Sequence, residues 1–266
     1  MNKIAFLGAG NIAHAIIGGL VHSGTAVSRI VAADPSAETR RQVRSLGITT
    51  TASNTDAMSD ADTVIICVKP DIVAQVLADI TSHAYGKFFI SVAAGITTDL
   101  LHKELGEATP IVRCMPNTPA LVRQGMTALY AGKSVLDAHR DTAEQIMGAV
   151  GSTLWVNDET DLDIVTAVSG SGPAYFFYLM EAMIAAAEAE GLSESAARQL
   201  VLQTAIGSAR ILVDQEADPM QLRENVTSPG GTTEAAMEVL TDGSFPALVA
   251  KAVAAARKRA IDLSKA

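Results

Sequence analysis

Lys3-Ile-Ala-Phe-Leu-Gly8-Ala-Gly10-Asn-Ile-Ala13 sets a short apolar run against the pattern G-x-G-x-x-A, with an amphipathic stretch over residues 13–23 behind it. The run reads as a strand, the glycines as a tight turn, and the stretch as a helix. Gly8 allows the turn, Gly10 leaves bare backbone for a pyrophosphate to approach, and Ala13 lets the helix pack closely on the strand. The helix start then offers unpaired N–H groups to phosphates. Such a turn also occurs without a ligand. The strand before it, the helix after it and an acidic residue, Asp34, closing the next apolar run favour a dinucleotide.

Working outward, apolar runs recur at residues 4–7, 30–33, 63–68, 88–92, 111–114, 127–130 and 153–156. Helical patterns at 13–23, 37–45, 71–80, 98–104 and 138–150 separate most of them. Continuous apolar strands joined by helices predict a sheet covered on both faces, the Rossmann-like, doubly wound, mostly parallel α/β arrangement. After Asp158 strand signals stop and residues 159–266 read as helix after helix. In one of these, Ser193 is placed as a cap after Gly191. In that same helix Ala197, Leu200, Val201, Thr204, Ala205, Ser208 and Leu212 share a stripe. The expected domains are therefore 1–158 and 159–266.

The 266 residues are 48% apolar but only 4% aromatic, so small side chains carry the apolar content and closely packed helices are expected. A net charge of −9 argues against nucleic acid or an anionic membrane surface as partner. Met1-Asn2-Lys3 leads straight into the first strand, so no secretory leader is expected. The longest uncharged stretch, 164–180, is broken by Ser169-Gly-Ser-Gly-Pro173, which disfavours a membrane span. Cys67 and Cys114 lie in apolar runs and read as reduced thiols of a cytoplasmic protein.

Asp34 admits two readings. A carboxylate at the end of a second strand accepts from adenosine ribose hydroxyls and favours NAD, with Arg40 and Arg41 nearby to offset repulsion of a 2′-phosphate; alternatively Asp34-Pro35-Ser36 caps the next helix. Lys69, in Val68-Lys69-Pro70, either steers an anion or is a solvated strand end. Ser169-Gly-Ser-Gly-Pro-Ala-Tyr175 opens one helix. Val226-Thr-Ser228-Pro-Gly230-Gly231-Thr232-Thr233-Glu234 opens another, either as a nest of amides gripping a carboxylate or as a plain capped start. His14, His22, His83, His102 and His139 are scattered without metal-ligand spacing, so no metal is expected. Asp158, Glu159, Asp161 and Asp163 read as acids favoured at a helix start. No convincing general base stands out.

Together Gly8-Ala-Gly10-Asn11, Val68-Lys-Pro70, Ser91-Val-Ala-Ala-Gly95, Arg113-Cys-Met-Pro-Asn-Thr-Pro119, Ser169–Tyr175 and Asn225-Val-Thr-Ser-Pro-Gly-Gly-Thr-Thr233 resemble the pyrroline-5-carboxylate reductase family, in order and over essentially the whole chain. The resemblance implies reduction of 1-pyrroline-5-carboxylate to L-proline with NAD(P)H, the last step of proline biosynthesis. It also implies an all-helical C-terminal dimerisation domain and dimers that assemble into decamers. Gly8, Ala9, Gly10, Asn11, Ile12, Asn54, Val68, Lys69, Pro70 and Ala94 match the family's cofactor contacts. Val226, Ser228, Gly230, Gly231, Thr232 and Thr233 match its substrate loop, with Glu216 a weaker match and Thr233 the residue whose hydroxyl meets the reacting nitrogen. The family commonly carries Ser or Thr where this sequence has Asp34, and usually favours NADPH; Asp34 keeps NAD open.

Two other readings stand beside this one. A β-hydroxyacid dehydrogenase shares the two-domain plan but carries a lysine on the helix after its Ser-Gly segment, and residues 173–183 contain none. A non-catalytic NAD(P)-sensing module needs no second glycine-serine nest.

Overall fold

In the first strand, β1 (Ile4–Leu7), alternate residues serve opposite layers. Ile4 and Phe6 join one apolar cluster, Ala5 and Leu7 the other, and all four are fully buried. A strand covered on both faces needs helices on both sides, and the chain supplies them in alternation. The computed structural model describes residues 3–264; Met1 and Asn2, where no leader is expected, lie outside the described residues. After β1 come α1 (Asn11–His22), β2 (Ile30–Ala33), α2 (Ala37–Arg44), β3 (Thr49–Thr51), α3 (Asn54–Met58), β4 (Thr63–Ile66) and α4 (Pro70–Ile80). Then follow β5 (Phe88–Ser91), α5 (Thr98–Leu105), β6 (Ile111–Met115), β7 (Gly125–Ala131), α6 (Asp137–Gly148), β8 (Gly151–Trp155) and α7 (Asp161–Val165).

The eight strands lie in the order β3-β2-β1-β4-β5-β6-β7-β8. Pairing is parallel from β3 through to β6, antiparallel between β6 and β7, and parallel again between β7 and β8. The chain winds from β1 out to β3, then returns to place β4 on β1's other side. Neighbouring loops therefore diverge at the β1/β4 junction, which opens a crevice at the strands' carboxyl ends. Ile16, Ile17 and Leu20 of α1 and Ile146 and Met147 of α6 cover one face; Val73, Val76 and Leu77 of α4 and Leu101 of α5 cover the other.

Two elements went unread in the sequence. β3 is Thr-Thr-Thr, only partly covered, so it lacks the apolar run that marks the inner strands. α3 is five residues long, started by the Ser53 hydroxyl accepting from the Asp56 N–H.

The chain forms two compact units, whose division does not coincide with the change of pattern at 158/159. The first unit runs through Ser171 and takes in the chain from Ala256 onward; the second is Gly172–Ala255. Side-chain anchors hold the segment after residue 158 to the sheet. The Glu159 carboxylate accepts from the Thr98 N–H (2.8 Å) and hydroxyl (2.7 Å) at the start of α5, and from Arg113 Nη1 of β6 (2.9 Å). Asn117 Nδ2 donates to the Ser169 carbonyl at 3.2 Å, beside a π-helical turn over Thr166–Gly170. Sequence alone reads Glu159 as one of several acids at a helix start, whereas its partners lie 46 and 61 residues away.

The second unit contains α8 (Gly172–Ala189), α9 (Glu194–Asp214), α10 (Pro219–Asn225), α11 (Thr232–Asp242) and the first half of α12 (Phe245–Ser264). α9 begins as expected, with the Ser193 side chain accepting from the Ala196 N–H. Packing within this unit buries little: Phe176, Phe177, Tyr178 and Leu179 on α8 are exposed, as are Leu200 and Ile206 on α9. Between α8 and α9 lies an open groove of about 550 Å³ lined by Phe177, Met180, Ile184 and Leu202, with Arg198 at its side. Among the described residues no single helix is long and apolar enough to cross a membrane.

Arg113 and Glu159 are both largely withdrawn from solvent, so removing one partner strands the other's charge. Glu159→Ala is expected to destabilise the first unit by about 3 kcal/mol in urea unfolding. A change within about 0.5 kcal/mol, the range of an ordinary surface substitution, would show that the pair contributes nothing.

Candidate active site

The carboxyl ends of the parallel strands gather the loops that the sequence marks. After β1, Gly8 turns at φ +94°, and a Cβ built there would lie 2.8 Å from the carbonyl carbon and oxygen of Cys67. No other residue type fits that approach. The turn is tied to both neighbouring strands: the Gly8 N–H donates to the Ala33 carbonyl (2.8 Å), and the Cys67 N–H to the Leu7 carbonyl (2.7 Å). Gly10 caps α1 with extended backbone, is exposed, and would have nothing within 4 Å of an added Cβ. The first intrahelical bond of α1 is the His14 N–H to the Gly10 carbonyl, so the N–H groups of Asn11, Ile12 and Ala13 have no partner within the helix. Bare backbone, free donors and the positive end of a 12-residue helix fit a pyrophosphate.

Asp34 follows β2 and reaches back to the same turn. Its Oδ2 accepts from the Ala9 N–H at 3.0 Å and its Oδ1 from the Ser36 N–H at 2.9 Å. The helix cap proper is Ser36, whose hydroxyl accepts from the Thr39 N–H. Asn54 opens α3, just past the carboxyl end of β3. Val68 abuts the Gly8 turn, Lys69 caps α4 with no side-chain bond to the helix, and Pro70 is that helix's first residue. Ala94 lies beyond β5, next to Gly95. The topology thus brings all the expected dinucleotide residues to one edge of the sheet.

The second group lies on α11 and the turn before it. Gly230 takes φ +69°, and a Cβ on Gly231 would come within 2.6 Å of Ser228 Oγ. Two expected donors are already used: the Gly230 N–H donates to Glu234 Oε2 (2.7 Å) and the Gly231 N–H to the Ser228 carbonyl (3.0 Å). The first helical bond runs from Ala235 to Gly231, which leaves the N–H groups of Thr232, Thr233 and Glu234 without intrahelical partners. Both threonine hydroxyls stand on that first turn. Val226 and Ser228 are exposed, and Glu216 sits in a left-handed turn (φ 48°) between α9 and α10.

Among the described residues, side chains suited to covalent or strong acid–base work do not converge on either group. Burial pushes the Cys67 and Cys114 thiols well above their usual range, so neither is a thiolate near neutral pH. Hydrogen bonds from the Thr160 N–H and hydroxyl hold Asp158 below the usual carboxylate range. His102 is buried against the Thr109 carbonyl, and His139 stacks on Phe88. What both groups offer is backbone amides without intrahelical partners, donors suited to an anion.

Two family models match: "Pyrroline-5-carboxylate reductase dimerisation" over residues 159–263, and "NADP oxidoreductase coenzyme F420-dependent" over residues 3–95. A pyrroline-5-carboxylate reductase of Pseudomonas aeruginosa is 47% identical, with 99% of this chain and 97% of that protein aligned. The chain belongs to the pyrroline-5-carboxylate reductase family. A solved pyrroline-5-carboxylate reductase from Coxiella burnetii superposes with a TM-score of 0.94 at 41% identity, covering 100% of this chain and 99% of that one. The enzyme of Plasmodium falciparum, solved with NADP bound, gives 0.89 at 30% identity, covering 99% and 98%. Self-association fits this membership, since the helical span matched by the dimerisation model carries the exposed apolar side chains of α8 and α9.

The two loop glycines are expected to fail differently. Gly8→Ala meets both a left-handed φ and the Cys67 backbone, so it should lower unfolding free energy by upwards of about 2 kcal/mol. Gly10→Ala meets neither and should unfold like the parent, yet bind NADPH at least tenfold more weakly in calorimetric titration. Unchanged affinity in Gly10→Ala would mean that no phosphate approaches this backbone.

Proposed function

We propose that this chain reduces 1-pyrroline-5-carboxylate to L-proline with NAD(P)H, the closing step of proline biosynthesis. One observation carries the reading. In a chain related over nearly its full length to pyrroline-5-carboxylate reductases, the α11 start has three amides without intrahelical partners and two hydroxyls, and this supports reading residues 225–233 as the substrate loop that the resemblance implies. Residues 1–158 take the dinucleotide, and 159–266 take the substrate and the partner subunit. The matched NADP oxidoreductase model and the NADP in the Plasmodium falciparum enzyme support NAD(P) as the coenzyme.

Gly8, Ala9, Gly10, Asn11 and Ile12 hold the dinucleotide's phosphates, with Asp34, Asn54, Val68, Lys69, Pro70 and Ala94 lining its course. When bound, the reduced nicotinamide supplies a hydride equivalent. The substrate is a cyclic imine, protonated in water, whose carbon is already electrophilic; the protein needs to orient it rather than activate it. Thr232 and Thr233 hold its carboxylate on their amides. Gly230 and Gly231, their own N–H groups engaged, shape the turn with Val226 and Ser228, and Glu216 borders the loop. The Thr233 hydroxyl accepts from the iminium N–H and donates to the product amine.

The working form is a homodimer through the helical unit, with a decamer of such dimers as the larger assembly. A cytoplasmic setting suits two free thiols. Sedimentation at micromolar concentration should find dimers or their multiples; a monomer would overturn this.

Nicotinamide oxidation should proceed with 1-pyrroline-5-carboxylate and not with small 3-oxo acids, the reverse result favouring a β-hydroxyacid dehydrogenase. Thr233→Val should lower kcat/KM by roughly tenfold to a hundredfold, the loss of one hydrogen bond to a charged group, with coenzyme affinity intact. An unaltered rate removes Thr233 from the site.

A further inference from the structure

At the carboxyl end of β2, the residue that a dinucleotide fold would read as selecting NAD is committed elsewhere. Asp34 gives one carboxylate oxygen to the Ala9 N–H of the glycine turn and the other to the Ser36 N–H ahead of α2. It stitches three pieces of backbone together: the end of β2, the phosphate turn and the start of the next helix.

Three arginines of α2 follow, and they differ in what holds them. Arg44 donates from Nε and Nη2 to Thr50 Oγ1, at 3.1 and 2.8 Å. Arg41 is paired with Glu38 on the exposed face of the helix. Arg40, half-buried, turns back to the strand end, where its Nη1 donates to the carbonyls of Asp34 (2.6 Å) and Pro35 (2.9 Å). These contacts fix the plane of the guanidinium but consume only one nitrogen. Among the described residues Arg40 makes no ion pair, and its Nε and Nη2 have no hydrogen-bond acceptor. A cation anchored through carbonyl oxygens, with a spare two-nitrogen edge, is a receptor for a phosphate dianion.

We infer that Arg40 discriminates between the coenzymes. Its guanidinium takes the 2′-phosphate of NADPH, and Asp34 acts as a positioning residue that holds the glycine turn for either coenzyme. This rests on the dinucleotide reading of the β1–α1 turn and assigns its selectivity. Arg41 carries the same charge one residue on, but its carboxylate partner cancels it locally. Charge alone on α2 is therefore not enough; anchoring and a free donor edge single out Arg40.

The test is binding, which needs no substrate and no turnover. Calorimetric titrations of 2′,5′-ADP, 5′-AMP, NADPH and NADH would be run on the parent protein and on Arg40→Gln, Arg40→Lys and Asp34→Ala. Arg40→Gln should weaken 2′,5′-ADP and NADPH by about tenfold or more, leaving 5′-AMP and NADH within about twofold. Arg40→Lys, which keeps the charge but not the fork, should fall between. Asp34→Ala should weaken both coenzymes together, because the buried Ala9 N–H loses its acceptor. Equal losses for 2′,5′-ADP and 5′-AMP in both Arg40 variants, or no loss in either, would overturn the assignment. So would a parent that binds 5′-AMP as tightly as 2′,5′-ADP, or an Asp34→Ala protein in which NADH alone weakens. Failure to reduce 1-pyrroline-5-carboxylate with this pattern intact would sink the proposed reaction and leave the assignment standing.

Discussion

The Cys67 backbone lies where a side chain on residue 8 would be. That contact brings the turn after β1 against the end of β4, at the place where the chain stops winding in one direction and starts in the other. Everything at the carboxyl edge follows from it. α1 departs at once, its first amides face outward, and the Ala33 and Leu7 carbonyls lock the turn to its neighbours. A methyl group at residue 8 would push the two strand ends apart and take the helix start with them.

Much of this was legible because it is written in local patterns. Fully buried strands announce themselves as short apolar runs, and α1, α4 and α6 show apolar spacing that the structure buries. β3 was hidden because an edge strand of three threonines has no apolar face to display. Glu159 was hidden for another reason. In sequence it is one acid among four, and only the fold brings it to the α5 start and to Arg113. The same holds for the unit boundary, since the grammar changes at residue 158 but the contacts persist to Ser171. Asp34 was half legible: its position at a strand end could be read, but not which amides would claim its oxygens.

The protein carries a net charge of −9, while its proposed ligands are anions. Long-range attraction is therefore not available, and affinity has to come from donors within hydrogen-bond reach. Both candidate loops meet that demand in the same way, with a glycine-bearing turn feeding a helix whose first amides are open. At α11 the chain even supplies a carboxylate of its own, Glu234, which occupies the Gly230 amide and leaves the next amides clear. Side-chain charge is used sparingly, and Lys69 and Arg40 stand at the same sheet edge as the first of these loops.

The exposed phenylalanines and tyrosine of α8 have a thermodynamic corollary. A helical unit that finishes its core only against another copy does not have a stability of its own. Its unfolding free energy rises with the logarithm of protein concentration, so its melting temperature is a property of the solution as much as of the sequence. During synthesis the sheet-bearing unit can close, as a first-order event, only once the latter part of α12 has emerged, because that part belongs to it. Where the helical unit closes against a second copy, that step is second order, so dilution slows it and leaves the first-order step unchanged.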